Sequence, residues 1–196
     1  MTSTASVVTP ERFKGGLGSF REWMEAIEAR QPEFQRHYDE YDPDPEDVAA
    51  IRALVQRFGV KALLIGEHWC PDVWRGLPVL ARMAERTGME VRYFFRDQNK
   101  DIMAEFLNRG EFESIPTVVF YDGKHNYLGH FIERPVLASE DMTALRKEIL
   151  EPAPQEDGPE RQAARARYST ATAQRAGAWR AATLSEFRTL IEQATK

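Results

Sequence analysis

Between Val60 and Ile149 the apolar positions change period repeatedly, and each change marks an element. Ala62-Leu63-Leu64-Ile65 is a continuous apolar run, the pattern of a short strand covered on both faces. Leu77, Leu80 and Met83 then recur at helical spacing, which predicts a helix to about Arg86 with Gly88 beyond it. Val91 to Phe95 reads as a second strand, and Ile102, Met103, Phe106 and Leu107 as the face of another helix. Thr117 to Tyr121 is a third strand, Asp122-Gly123 a hairpin-turn pair, and Asn126 to Ile132 the antiparallel partner. A closing helix capped by Ser139 would turn Met142, Leu145 and Ile149 inward. The order is β-α-β-α-β-β-α. Strands joined by helices are expected to be parallel, and the last two form a hairpin. The predicted class is α/β, with a central mixed sheet of about four strands flanked by helices.

Both flanks read as helical. Residues 1–10 are polar and expected to fray. Ser19 and Glu22 have capping-box spacing before a helix expected from Phe20 to Arg30, with Trp23, Met24 and Ile27 on one side. Pro32 opens a second helix, closed by Asp42-Pro43-Asp44-Pro45; Asp44 then caps a third, whose buried face is Val48, Ile51, Val55 and Phe58 and whose stop is Gly59. Residues 151–159 have linker composition. Residues 160–196 read as one long helix with Trp179, Leu184, Phe187 and Ile191 inward. That apolar side needs a cover, either its own chain or a second subunit in a homodimer. The expected organisation is an N-terminal helical extension (1–59), an α/β domain (60–150), a linker (151–159) and a C-terminal helix (160–196).

Composition narrows the function. The chain has 196 residues, 42% hydrophobic, with a formal charge of −5. An acidic balance argues against a nucleic-acid partner. The most basic stretch, Arg161 to Arg180, is alanine-rich and reads as a solvated helix face. No apolar run approaches the roughly 20 residues that span a bilayer, so no membrane partner is expected. The start, MTSTASVVTPERFKGG, lacks a basic segment followed by an apolar core. With a single cysteine, this points to a reducing, cytoplasmic setting. The four histidines show no metal-ligand spacing, and no phosphate loop, dinucleotide fingerprint or serine-nucleophile motif is present; no cofactor is expected.

The one cysteine, Cys70, stands in Trp69-Cys70-Pro71-Asp72-Val73, between the first strand and the first helix of the α/β segment. Pro78 follows eight residues later, Asp97-Gln98-Asn99 follows the second strand, and Ser114-Ile115-Pro116-Thr117 precedes the third. In this order and spacing the segment resembles the thioredoxin superfamily over roughly residues 60–150. It is closest in pattern to bacterial thioredoxin-like proteins with a Trp-Cys-Pro-Asp motif. The resemblance implies that Cys70 is the nucleophile, that Pro116 is cis, and that Trp69, Pro71, Asp72, Ile115 and Pro116 form the substrate contact. A helix N-terminus should itself favour the Cys70 thiolate. Asp72 reads as a first-turn residue stabilised by the helix dipole rather than an acid catalyst.

The departures matter as much. Val73 stands where a two-cysteine member has its resolving thiol. Leu64 replaces a buried acid and Tyr93 a lysine, two groups that in the family assist proton transfer. Glu67 and His68 are near enough in sequence to raise or lower the thiol pKa. The motifs of monothiol glutaredoxins are absent. The expected activity is thiol–disulfide exchange through one cysteine, on a protein or low-molecular-weight disulfide, with an external thiol as resolver. The alternatives are a non-catalytic binding module that uses its helical extensions, and a peroxide sensor through Cys70 sulfenic acid.

Overall fold

A computed structural model describes residues 6–196. Part of the frayed start expected over 1–10, residues 1–5, lies outside them. The remainder is ordered: Val8 is buried, and Thr9 caps a short helix α1, Pro10–Lys14, by accepting from the Arg12 amide. The next helix, α2, Phe20–Ala26, begins as anticipated. Ser19 Oγ accepts from the Glu22 amide at 3.1 Å, and the Glu22 carboxylate reaches back to the Gly18 amide at 2.9 Å. It ends earlier than expected, at Ala26. Ile27 is extended and Arg30 is left-handed, and a fresh helix, α3, Gln31–Asp39, follows with Pro32 in its first turn. Asp44 caps α4, Pro45–Phe58, through the Glu46 and Asp47 amides. Gly59 stops it at φ +67°, and a Cβ there would lie 2.9 Å from the Gly123 Cα, so the site rejects a side chain on both conformation and space.

The sheet contains β1, Lys61–Gly66; β2, Glu90–Phe95; β3, Thr117–Tyr121; and β4, Tyr127–Ile132, in the order β2-β1-β3-β4. Between β1 and β2 runs helix α5, Pro71–Thr87, with Leu77, Leu80 and Met83 fully buried. β1 and β2 are parallel. β3 also follows a helix, α6, Lys100–Ala104, yet it pairs antiparallel to β1, which corrects the parallel expectation. A helix of five residues rises only about 7–8 Å. It does not return the chain along the sheet, so β3 enters at the end where β1 and β2 finish. Phe106 and Leu107 fall past the end of α6, although Phe106 is buried. The β3–β4 connection is wider than a two-residue hairpin. The Asp122 carboxylate accepts from the Lys124 and Asn126 amides at 2.8 Å, and the left-handed residue is His125, not Gly123.

Helix α7, Val136–Leu145, starts three residues before Ser139, whose hydroxyl instead bonds back to the Pro135 carbonyl; it continues into a wider turn over Arg146–Leu150. The long helix α8, Pro159–Ala194, lays Leu184, Phe187 and Ile191 into the same hydrophobic cluster as Trp23, Ile51 and the strand residues. Phe187 meets Phe120 and Phe131 edge-on, with centroids 5.4 and 5.0 Å apart. Polar ties fix its direction: Trp179 Nε1 donates to Asp141 at 2.7 Å, Arg180 Nη1 lies 2.7 Å from His37 Nδ1, and Arg188 Nη1 lies 3.1 Å from Asp47. The apolar side of α8 is thus covered by its own chain. On the other side of the sheet order, Leu17 exchanges both backbone hydrogen bonds with Tyr93 of β2, at 3.0 and 2.9 Å. Among the described residues no helix is long and apolar enough to cross a membrane.

Candidate functional site

Because β3 enters where β1 ends, the Ile115-Pro116 segment arrives beside the start of α5. Cys70 is the N-cap of that helix, in extended geometry, and Pro71 takes the first-turn position that needs no N–H donor. The Cys70 carbonyl accepts from Val73 and Trp74, which anchors the first turn. Its thiol donates across space to the Ile115 carbonyl, Sγ to O 3.4 Å. The Ile115–Pro116 bond is cis. Gly76 faces the proline ring, where a Cβ would come within 3.3 Å of Pro116 Cγ. Ser114, Ile115 and Pro116 form a buried floor, whereas Trp69 is 49% exposed and Pro71 is exposed. Cys70 is partly exposed between them.

The electrostatics reverse one expectation. Burial pushes the Cys70 thiol above the ordinary cysteine value, and the Asp72 carboxylate adds to the rise. The Val73 and Asp72 amides and Arg134 pull the other way and are outweighed. The Ile115 carbonyl acts with the burial, since an acceptor facing S–H favours the protonated form. A helix start alone would have lowered this pKa. The largest influences on the sulfur do not include Glu67 or His68. Glu67 is buried and accepts from the Asp97 amide at 2.8 Å, and the His68 backbone carbonyl accepts from the Trp74 indole.

Asp72 is held by side chains that sequence reading missed. Arg134 Nη2 lies 2.6 Å from Oδ2, and Arg75 Nη1 3.4 Å from Oδ1. Burial raises its carboxyl pKa, against the pull of both guanidiniums. Arg134 belongs to the β4–α7 connection, which is itself pinned where the Glu133 amide donates to the Pro116 carbonyl at 2.7 Å. Asp72 therefore ties the helix start to the loop behind Pro116. Arg75 was recoverable from its three-residue offset; Arg134 left no signal in the sequence. Trp69 carries the Arg96 guanidinium over its ring at 5.1 Å, and Trp74 carries that of Arg30 at 5.2 Å.

Val73 is fully buried, and its methyls occupy the space next to Gly66, 3.0–3.1 Å from where a Cβ there would stand. Leu64 and Tyr93 are direct partners in the β1–β2 register and both are buried. The two departures therefore fall on one cross-strand pair. The site offers one partly exposed sulfur with no second thiol behind it. Among the described residues, no group of three or more His, Cys, Asp or Glu is placed to hold a metal ion.

No functionally curated protein matches the sequence. A Pseudomonas aeruginosa protein of unknown function shares the fold at TM-score 0.60 and 23% identity, covering 97% of this chain and 99% of its own. An HIV epitope-scaffold does so at TM-score 0.58 and 20% identity, covering 96% and 99%. The alignments run through both helical flanks, so the flanks are part of the shared architecture. The thioredoxin family profile matches residues 18–147, well over half the chain, and reaches back through α2, α3 and α4 rather than starting near residue 60. Sequence profile and sheet topology agree, and the chain belongs to the thioredoxin family.

Proposed function

We propose that this protein carries out thiol–disulfide exchange through Cys70 alone. The observation that carries the reading is the sulfur at the start of α5, 3.4 Å from the Ile115 carbonyl and open to solvent past Trp69 and Pro71. The Cys70 thiol loses its proton to solvent, and the thiolate attacks one sulfur of a protein or low-molecular-weight disulfide. A mixed disulfide forms and the other half leaves as a thiolate. A second, external thiol then attacks the mixed disulfide, releases Cys70 and keeps the substrate half as a new disulfide. The external thiol is needed because Val73 has no sulfur. A reducing cytoplasm supplies it, and neither nucleic acid nor membrane enters the scheme. With the thiol pKa raised, the thiolate is a minor species at neutral pH and exchange is slow there.

The test is incubation of the native protein with bis(hydroxyethyl) disulfide at mildly alkaline pH, followed by intact mass. One added mercaptoethanol, removed by excess thiol and absent in Cys70→Ser, is the expected result. An unmodified protein under conditions that label a free cysteine peptide would overturn it.

A second reading, a binding module without catalysis, is favoured by the raised thiol pKa and the filled Val73 site. The outer faces of the helices before β1 and of α8 would then contact the partner, including a second copy of the chain. Solution mass with and without a candidate partner discriminates the two.

A further inference from the structure

Side chains of β3 and β4 alternate between the two faces of the sheet. Phe120 and Phe131 turn to α8, where they meet Phe187. Tyr121, opposite Tyr127 in the register, and His130, opposite Val119, turn the other way. On that face α6 ends at Ala104, and Phe106 follows it over the strand pair, its ring 6.3 Å from that of Tyr127 and 5.6 Å from that of His130. The helix is too short to close the face. An open pocket of about 460 Å³ remains, within the size range of small-molecule sites.

Five of its eight lining residues carry rings: Phe106, Tyr121, His125, Tyr127 and His130. The rings are steeply inclined to one another, by 74° between Tyr121 and Tyr127 and by 61° between Phe106 and His130. Parallel walls suit a flat ligand; inclined walls surround a compact one. The Tyr127 hydroxyl and His130 Nδ1 lie 2.5 Å apart, which ties two of the walls together. Tyr127 is 51% exposed, so the enclosure opens to solvent on its side.

The one acidic residue of the lining is Glu105, and no lysine or arginine lines the pocket. The Glu105 carboxylate accepts from the Ser6 hydroxyl and the Val7 amide, both uncharged, and forms no ion pair among the described residues. Lys61, opposite Tyr121 on β1, places its ammonium over the Phe13 ring, 5.2 Å from the centroid, and lies outside the lining. Burial pushes the His130 pKa below the ordinary histidine value, so this ring is neutral at neutral pH and does not repel a cation. The pocket thus combines several aromatic walls with one negative charge that no side-chain cation offsets.

We propose that this pocket binds a small organic cation with a methylated ammonium group. Aromatic faces attract such a cation through their quadrupoles, and the Glu105 carboxylate supplies the matching charge. An unmethylated ammonium brings three N–H donors, each in need of an acceptor. Both Glu105 oxygens already accept, one from Ser6 and one from Val7, so a group without N–H donors fits better.

The probe is choline, titrated into the full chain at about pH 8 and constant ionic strength, where histidines are neutral. NMR follows the ring resonances of Tyr127 and His130. Saturable shifts of both are expected. 3,3-Dimethylbutan-1-ol, which has the same shape without the charge, and ethanolamine, which has the charge without the methyls, should each bind about threefold or more weakly. Tyr127→Leu, at an exposed position, and Glu105→Gln, which keeps an acceptor oxygen, should fold as the parent chain does and show a loss of similar size. Cys70→Ser should bind choline like the parent chain, which separates this site from the thiol reading. Failure to saturate by roughly 10 mM choline would overturn the proposal. Parental affinity in Tyr127→Leu or in Glu105→Gln, equal affinity for either analogue, or weaker binding by Cys70→Ser would overturn it as well.

Discussion

Phe187 offers the sharpest test of whether α8 belongs to the core. It is fully buried, well beyond the linker, with Phe120 and Phe131 edge-on against it. Truncation to alanine removes a buried ring and leaves a cavity, which costs about 3–5 kcal/mol. The two ring pairs add roughly 0.5–1.5 kcal/mol each. The sum, about 4–8 kcal/mol, is a large part of the total stability of a domain of this size. Phe187→Leu keeps most of the volume and loses mainly the ring pairs, about 1–3 kcal/mol, so it should stay folded. Urea unfolding followed by far-UV circular dichroism and by tryptophan fluorescence provides the assay. Trp23 reports the sheet side and Trp179 reports α8. Both probes should shift together to a lower midpoint in Phe187→Leu, and Phe187→Ala should be severely destabilised. An exposed control, Arg167→Ala, should stay within about 0.5 kcal/mol of the parent. A midpoint unchanged in both Phe187 variants, or an α8 transition that separates from the sheet transition in the parent chain, would refute the account of α8 as core.

Three further outcomes are expected. The pH at which Cys70 alkylation by iodoacetamide reaches half its maximal rate should lie above the ~8.5 of a free thiol, and Asp72→Asn should move it down by removing the carboxylate that opposes the thiolate; an inflection below that reference in the parent would contradict the burial argument. His37, buried against Arg180, has its pKa pushed down to about 3 by desolvation and then by that guanidinium. The unfolded chain therefore takes up this proton first. Stability should fall as pH drops below about 6.5, with a slope approaching 1.4 kcal/mol per unit, and His37→Gln should flatten urea midpoints between about pH 6.5 and 5. Gly59→Ala meets a left-handed backbone and the Gly123 backbone at once, and should cost at least about 1–2 kcal/mol in thermal or urea unfolding.

What the sequence disclosed was local. Strand runs, the Asp44 cap and the Gly59 stop depend on a few adjacent residues, and the structure has them within a residue or two. Helix ends set by a neighbour were less legible: α2 stops early because α3 begins at Gln31. Contacts across space were not legible at all. Arg134 reaches Asp72 from sixty-two positions away, and Arg180 reaches His37 from 143. The thiol pKa shows the same division. The helix start is a local signal and points down; burial and the Ile115 carbonyl are tertiary and point up. Leu64 and Tyr93 looked like separate departures until the register paired them.

The backbone exchange between Leu17 and Tyr93 bears on how the protein avoids its own kind. β2 is a sheet margin, and a margin with free amides and carbonyls is a template on which another chain can add a strand. At Tyr93 both groups are already taken, and the Phe95 carbonyl is taken by the Asn99 side chain. The segment before α2 thus acts as a guard against aggregation. A chain cut just before Phe20 would lose that guard together with the buried Phe13 and the Ser19 cap, and would be expected to aggregate more readily than the full chain.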